Sequence, residues 1–148
     1  MLAHPRYASS RSWRHVAGSV GLLCAIVGGP IACGPTAEQK EARRVVAIID
    51  QMRAAPPEKR KPHLETLEQI DVRGTAAQTA RQRCAKTYRA LLDAGELESK
   101  ARRRLAFPSP PASALSDLAT AEDKIEEATA EMPRCNEALA ALRRIARR

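Results

Sequence analysis

The sequence predicts an all-α fold, a small bundle of three to four helices dominated by a long antiparallel helical hairpin. Apolar residues recur at helical spacing through most of residues 37–148, and proline- or glycine-containing stretches separate the periodic segments. Aromatic residues make up only 3% of the chain. Because a wide globular core normally uses large aromatic side chains, this composition indicates thin helical layers.

The first helix is predicted over residues 37–55. Thr36 and Gln39 have the spacing of a capping box, and Pro56-Pro57 ends the periodic segment. The apolar face carries Ala42, Val45, Ile49 and Met52. A short second helix is predicted over residues 63–72, with Gly74 ending it.

A third helix is predicted to begin at Thr75, since Thr75 and Gln78 repeat the capping-box spacing. One side of it carries Ala77, Ala80, Cys84, Tyr88 and Leu91. At Gly95 the apolar phase shifts, so a kink or short break is predicted there. The proline-rich residues 107–113 separate this stretch from the last helix.

The last helix has the strongest periodicity. Its a/d stripe consists of Leu118, Ile125, Met132, Leu139 and Ala146 together with Ala121, Ala128, Cys135 and Leu142. Such a stripe packs either within the chain, against the helix of Cys84, or between chains as a coiled coil. Pro133 lies beside the stripe and predicts a bend that leaves the seam in place.

Cys84 and Cys135 are predicted to form a disulfide. The segment 107–113 lies midway between them, so helices that reverse there bring the two cysteines face to face. A bridge across about 50 residues stabilises a fold by about 3 to 4 kcal/mol. Two buried free thiols are the alternative interpretation.

Residues 1–32 have the organisation of a cleaved export signal. Three arginines and no acidic residue accompany an apolar run over residues 16–32, and small residues precede Cys33. Ile31-Ala32-Cys33 resembles the end of a bacterial prolipoprotein signal. In this chain, Pro30 stands at the position where that signal usually has leucine. The resemblance implies lipid on Cys33, a short tether over residues 33–36, a helical domain over residues 37–148, and a membrane-anchored protein facing the periplasm or the cell surface.

Two other interpretations of the leader remain open. Secretion with a free N-terminus is one, and an uncleaved membrane anchor is the other. The anchor is less favoured because the apolar run has 17 residues, interrupted by glycines and a proline, whereas a spanning helix needs about 20.

The residues after the leader predict no catalytic site, no metal site and no cofactor. His63 is the only histidine there, and C-x-x-C motifs, glycine-rich phosphate loops and nucleophile elbows are absent from the sequence. An enzyme is therefore not expected. The carboxylates of the last helix are predicted to form a solvated acidic face opposite the stripe; they are Glu122, Asp123, Glu126, Glu127 and Glu131.

Three basic clusters are the candidate binding residues. They are Lys59, Arg60 and Lys61; Arg102, Arg103 and Arg104; and Arg143, Arg144, Arg147 and Arg148. Such clusters suit anionic lipid headgroups, an anionic polymer or an acidic envelope protein, although they also serve solubility. Nucleic acid is not an expected partner, since no aromatic residues are interleaved to stack on bases.

The sequence thus leads to the expectation of an envelope lipoprotein whose helical domain is structural or mediates protein interactions. The alternative is a secreted periplasmic binding or chaperone-like protein that uses a basic face. The oligomeric state and the partner are left open.

Overall fold

The structure, a computed structural model, describes residues 34–148, which form four α-helices and a short 3-10 turn without any strand. The predicted all-α class is confirmed for this part of the chain. The export signal predicted over residues 1–32 and the predicted lipidation site Cys33 lie outside the described residues. Within residues 34–148, no helical segment combines the length and the apolar character that a membrane crossing requires.

Helix α1 spans Ala37–Ala54, close to the predicted range. The hydroxyl of Thr36 accepts a hydrogen bond from the backbone N–H of Gln39 (3.2 Å), and the Gln39 side chain accepts one from the N–H of Thr36 (2.7 Å). The predicted capping box is confirmed. The four predicted apolar residues of α1 are fully buried.

Helix α2 spans Arg60–Gln69 and directly follows a 3-10 turn over Pro57–Lys59. The predicted start at residue 63 is wrong because the turn already sets the backbone for a helix, and Pro62 is tolerated within the first turn. The predicted end is also wrong, since the helix stops at Gln69 and Ile70 is extended. Ile70 and Val72 are nevertheless buried in the core.

Helix α3 spans Thr75–Leu105 without interruption. Gly74 rather than Thr75 is its N-cap, and the Glu41 carboxylate of α1 accepts hydrogen bonds from the backbone N–H groups of Gly74 (2.8 Å) and Arg73 (3.1 Å). A carboxylate at this end also complements the helix dipole. The predicted Thr75 cap is wrong, because Gly74 is the N-cap and no side chain caps the first turn of α3; Glu41 instead binds the backbone just before the helix.

Of the kink or short break predicted at Gly95, the break is wrong, whereas the kink stays a prediction. No glycine among the described residues has a positive φ, and Gly95 continues the helix. Its neighbours on both sides are strong helix formers, which outweigh the cost of one glycine.

Helix α4 spans Ser113–Arg147 and continues through Pro133. Its buried residues include Ala114, Ala121, Ala128, Cys135 and Leu142, one every seven positions. The other half of the predicted stripe is more peripheral except at Leu139, which is fully buried. Ile125 is 48% exposed, and Leu118, Met132 and Ala146 are only half-buried. Small side chains at the centre of the seam allow the backbones to approach closely, which leaves the larger residues at its edges.

The hydrophobic core lies at one end of the four-helix arrangement. It joins α1, α2, the first half of α3 and the last third of α4, with Ile49, Leu67 and Leu139 among its fully buried residues. Beyond this core, α3 and α4 bury mainly alanines against each other, among them Ala94, Ala101 and Ala121. Cys84 of α3 lies against Cys135 of α4, and Lys100 of α3 pairs with Asp117 of α4.

Candidate functional site

A disulfide between Cys84 and Cys135 ties α3 to α4 next to the candidate site. The sulfurs are 2.09 Å apart, the Cα atoms are 4.7 Å apart, and both residues are fully buried. The predicted pair therefore lies at disulfide distance. Arg53 of α1 lies beside it, with one guanidinium nitrogen 3.7 Å from the Cys135 Sγ.

A groove of about 610 Å³ lies between the start of α2 and the middle of α3. Its floor is apolar, built from Leu91 and Leu92, the ring of Tyr88 and the bare backbone at Gly95. Charged residues line its sides: Arg60, Lys61, Lys100 and Arg103 are basic, and Glu58 and Glu96 are acidic. We call this feature the basic groove.

Two of the three predicted basic clusters meet at the basic groove. Arg60 and Lys61 reach it from α2, and Arg103 reaches it from α3. Lys59 is exposed in the 3-10 turn and does not line the groove. Arg102 pairs with Glu98 on its own helix, outside the lining.

The charges of the groove are only partly neutralised. Lys61 pairs with Glu96 (3.1 Å) and Lys100 with Asp117 (3.2 Å). The Arg60 guanidinium instead donates to the carbonyl of Ala55 (2.9 Å), and that of Arg103 donates to the hydroxyl of Ser99 (2.6 Å). Neither guanidinium has a carboxylate partner within residues 34–148, so both retain donors for an anionic ligand.

Arg104 has a structural role rather than a place in the groove. Its guanidinium donates to Asp117 (2.8 Å) and to the hydroxyl of Ser113 (3.2 Å), both at the start of α4. Together with the bond from Lys100 to Asp117, it fixes the beginning of α4 against the end of α3.

The third predicted cluster lies away from the groove. Arg143 pairs with Asp50 of α1. Arg144 and Arg148 line a shallow depression together with Thr36, and Arg147 is exposed. The structure therefore separates the C-terminal cluster from the other two.

The sequence does not predict most of the groove floor. Tyr88 and Leu91 belong to the predicted apolar side of α3, but nothing in the sequence indicates that part of this side stays uncovered. Gly95 is the one local signal: a helical glycine costs about 1 kcal/mol relative to alanine, and a Cβ at Gly95 would meet no atom within 4 Å.

Glu131 corrects the prediction of a solvated acidic face on α4. It is only 7% exposed and pairs with Lys86 (3.4 Å), Arg83 (3.5 Å) and Arg134 (2.9 Å). Glu127 is half-buried and pairs with Lys86 and Lys124. Glu122, Asp123 and Glu126 are exposed as predicted.

These pairs shift the ionisation of the α4 carboxylates. Burial by itself raises the pKa of Glu131, but the hydrogen bond from Lys86 and the charges of Lys86, Arg134 and Arg83 outweigh it, so the net pKa is lowered. The hydrogen bond from Lys124, then its charge, lowers the pKa of Glu127. Both carboxylates are therefore held in the ionised form.

Within residues 34–148, no group of three or more histidine, cysteine or acidic side chains is placed to hold a metal ion. No protein-family model, no curated protein and no solved structure matches the chain.

Proposed function

We propose that this chain is an exported envelope lipoprotein, held at a membrane by lipid on Cys33, whose helical domain binds another envelope protein. Support for the export signal comes from the sequence of residues 1–33. Support for an oxidising compartment comes from the disulfide between Cys84 and Cys135, since such bonds persist outside the reducing cytosol.

In this proposal, α3 and α4 form a long antiparallel hairpin that serves as the rigid frame, and α1 and α2 cover one half of it. The partner binds in the basic groove. One observation carries this assignment: two basic clusters that are 41 positions apart in sequence meet at one groove with an apolar floor. Apolar floors with a few placed charges are typical of binding sites.

The partner segment is complementary to the lining of the basic groove. It presents apolar side chains to Leu91 and Leu92 and at least one carboxylate to Arg60 or Arg103. A bidentate contact between a guanidinium and a carboxylate gives such an interface its orientation.

Metabolic labelling with a fatty acid tests the lipid anchor. We expect label on the wild-type chain and on Cys24→Ser, and none on Cys33→Ser. Cys24 is the matched control because it lies in the same leader. Label retained by Cys33→Ser would contradict lipidation of that residue.

Site-specific crosslinking in the native envelope tests the groove. A photoreactive residue at Ser99 is expected to trap one defined protein, and Gly95→Trp is expected to abolish the crosslink by filling the groove. Gln82→Trp is the control, since Gln82 is exposed on the same helix outside the groove. Equal crosslinking in both tryptophan variants would reject the groove as the binding site.

A chaperone-like module is the second candidate function, favoured by apolar exposure next to the turn between α3 and α4. Phe107 is 63% exposed and Leu115 is 65% exposed, and Arg102 and Arg103 lie nearby in sequence. This function predicts many crosslinked clients instead of one. It also predicts suppression of client aggregation, measured by light scattering, that Phe107→Ser with Leu115→Ser removes.

A further inference from the structure

We infer that the end of the domain opposite the basic groove binds the surface of an anionic phospholipid membrane. This tether end consists of residues 34–44, 70–76 and 141–148, which come from three separate parts of the chain. The proposed lipid on Cys33 would place this end at the membrane, and in that respect the inference rests on the proposed function.

Three contacts bring these segments together. The Arg43 side chain of α1 donates to the carbonyl of Ala146 at the end of α4 (3.0 Å). The Glu41 carboxylate accepts from the N–H of Gly74 (2.8 Å). Arg144 and Arg148 share a depression with Thr36, which is only three positions after Cys33 in the sequence.

Most of the net charge of the domain lies at the tether end. Its basic residues are Lys40, Arg43, Arg44, Arg73, Arg143, Arg144, Arg147 and Arg148. Its acidic residues are Glu38, Glu41 and Asp71, to which we add Asp50 as the partner of Arg143. Eight basic and four acidic side chains give +4, out of a net charge of +5 for residues 34–148.

The tether end also differs from the rest of the described chain in how many of its cations form ion pairs. Only Arg143, one of the eight, forms an ion pair within residues 34–148. Elsewhere in the described chain, nine of fourteen basic side chains form ion pairs. Seven of the eight cations at the tether end therefore remain available to an external anion, whereas most of those elsewhere are already paired with carboxylates.

Helix stability explains only part of this charge. Cations in the last turn of α4 complement its dipole, which accounts for Arg144 and Arg147. The same effect disfavours a cation near the start of α1, where Lys40 lies one turn from the N-terminus. A planar array of anions, as on a membrane surface, favours both sets of cations at once.

Vesicle partitioning tests the inference on the full chain. All variants carry Cys33→Ser and Arg6→Gln, Arg11→Gln and Arg14→Gln, so that neither lipid nor leader charge contributes to the difference. The readout is the ratio of partitioning onto equimolar phosphatidylglycerol and phosphatidylcholine vesicles to partitioning onto phosphatidylcholine alone.

We expect this ratio to exceed one, to fall with added salt, and to drop about 100-fold on neutralising Arg144, Arg147 and Arg148 to glutamine, since each cation near an anionic surface contributes a several-fold factor. The matched control neutralises Lys59, Arg102 and Lys124, which removes the same charge elsewhere and is expected to leave the ratio nearly unchanged. Circular dichroism verifies that both triple variants are folded.

An equal drop of the partitioning ratio in both triple variants would overturn the inference, because net charge alone would then explain vesicle binding. No drop in the Arg144, Arg147 and Arg148 variant would overturn it as well. If inorganic phosphate at constant ionic strength displaces the protein from the vesicles, these cations form a discrete phosphate site and not a membrane-binding surface. That result would also overturn the inference. None of these results depends on lipidation, which the fatty-acid labelling measures separately.

Discussion

The Arg53 side chain on α1 donates a 3.0 Å hydrogen bond to the hydroxyl of Tyr88 on α3. A second nitrogen of the same guanidinium lies 2.6 Å from the Asn136 side-chain oxygen on α4. One arginine therefore connects three helices beside the Cys84–Cys135 bridge. Tyr88 is only 6% exposed and its ring forms part of the groove floor, so this bond also positions the candidate site.

Replacing Arg53 with alanine is expected to destabilise the protein by about 1 to 3 kcal/mol, because the buried Tyr88 hydroxyl loses its donor. Tyr88→Phe is expected to cost less, about 1 kcal/mol, since it removes the hydroxyl together with the bond. Urea unfolding of both single variants and the double variant measures the coupling. Strictly additive free energies would mean that the bond contributes nothing.

Removing the bridge with Cys84→Ala and Cys135→Ala is expected to lower the free energy of unfolding by about 3 to 4 kcal/mol, the chain-entropy value for a loop of this length. Thermal unfolding of the double variant, compared with the oxidised and fully reduced wild type, measures this loss. The reduced wild type and the variant should agree closely. An unchanged midpoint in both would show that packing alone holds α3 on α4.

The sequence predicts the helices best where the signal is local. The capping box of Thr36 and Gln39 lies within four residues, and the cysteine pair follows from symmetry about the turn. The predicted Thr75 cap is wrong because Gly74 is the N-cap, and the Glu41 carboxylate that accepts a hydrogen bond from the Gly74 N–H is more than 30 positions away. Local spacing contains no information about such a partner.

In the candidate site too, the sequence predicts local features but not the contacts between distant residues. Arg60, Lys61 and Arg103 are identified from the sequence as basic, but their meeting at one groove depends on α2 lying against α3. Glu131 is assigned to a solvated face because its helical position lies outside the stripe. Only the packing of α3 on α4 brings Lys86 and Arg83 to it.

Acid is expected to weaken the domain through Glu131. Its pKa is lowered in the folded state, so its stabilising contribution is present above the unfolded value of about 4.3 and is lost as the pH falls from about 5 through the folded pKa. Glu131→Gln should therefore lower the urea midpoint at pH 7, and the difference from wild type should shrink in acid. Glu122→Gln, at an exposed position of the same helix, is the control. A difference that does not vary with pH would contradict an electrostatic role.

Gly95→Ala is expected to stabilise the protein by about 1 kcal/mol, because alanine is the better helix former and the added Cβ meets no atom within 4 Å. Thermal unfolding measures this gain, and Gln82→Ala provides the comparison at an exposed position that is already a good helix former. If the groove binds a partner, the same methyl group lies on its floor and should weaken crosslinking from Ser99 while the fold becomes more stable. Stability and binding would then change in opposite directions, which a purely structural glycine would not produce. A loss of stability in Gly95→Ala would instead mean that the backbone at this position is strained, contrary to the uninterrupted helix.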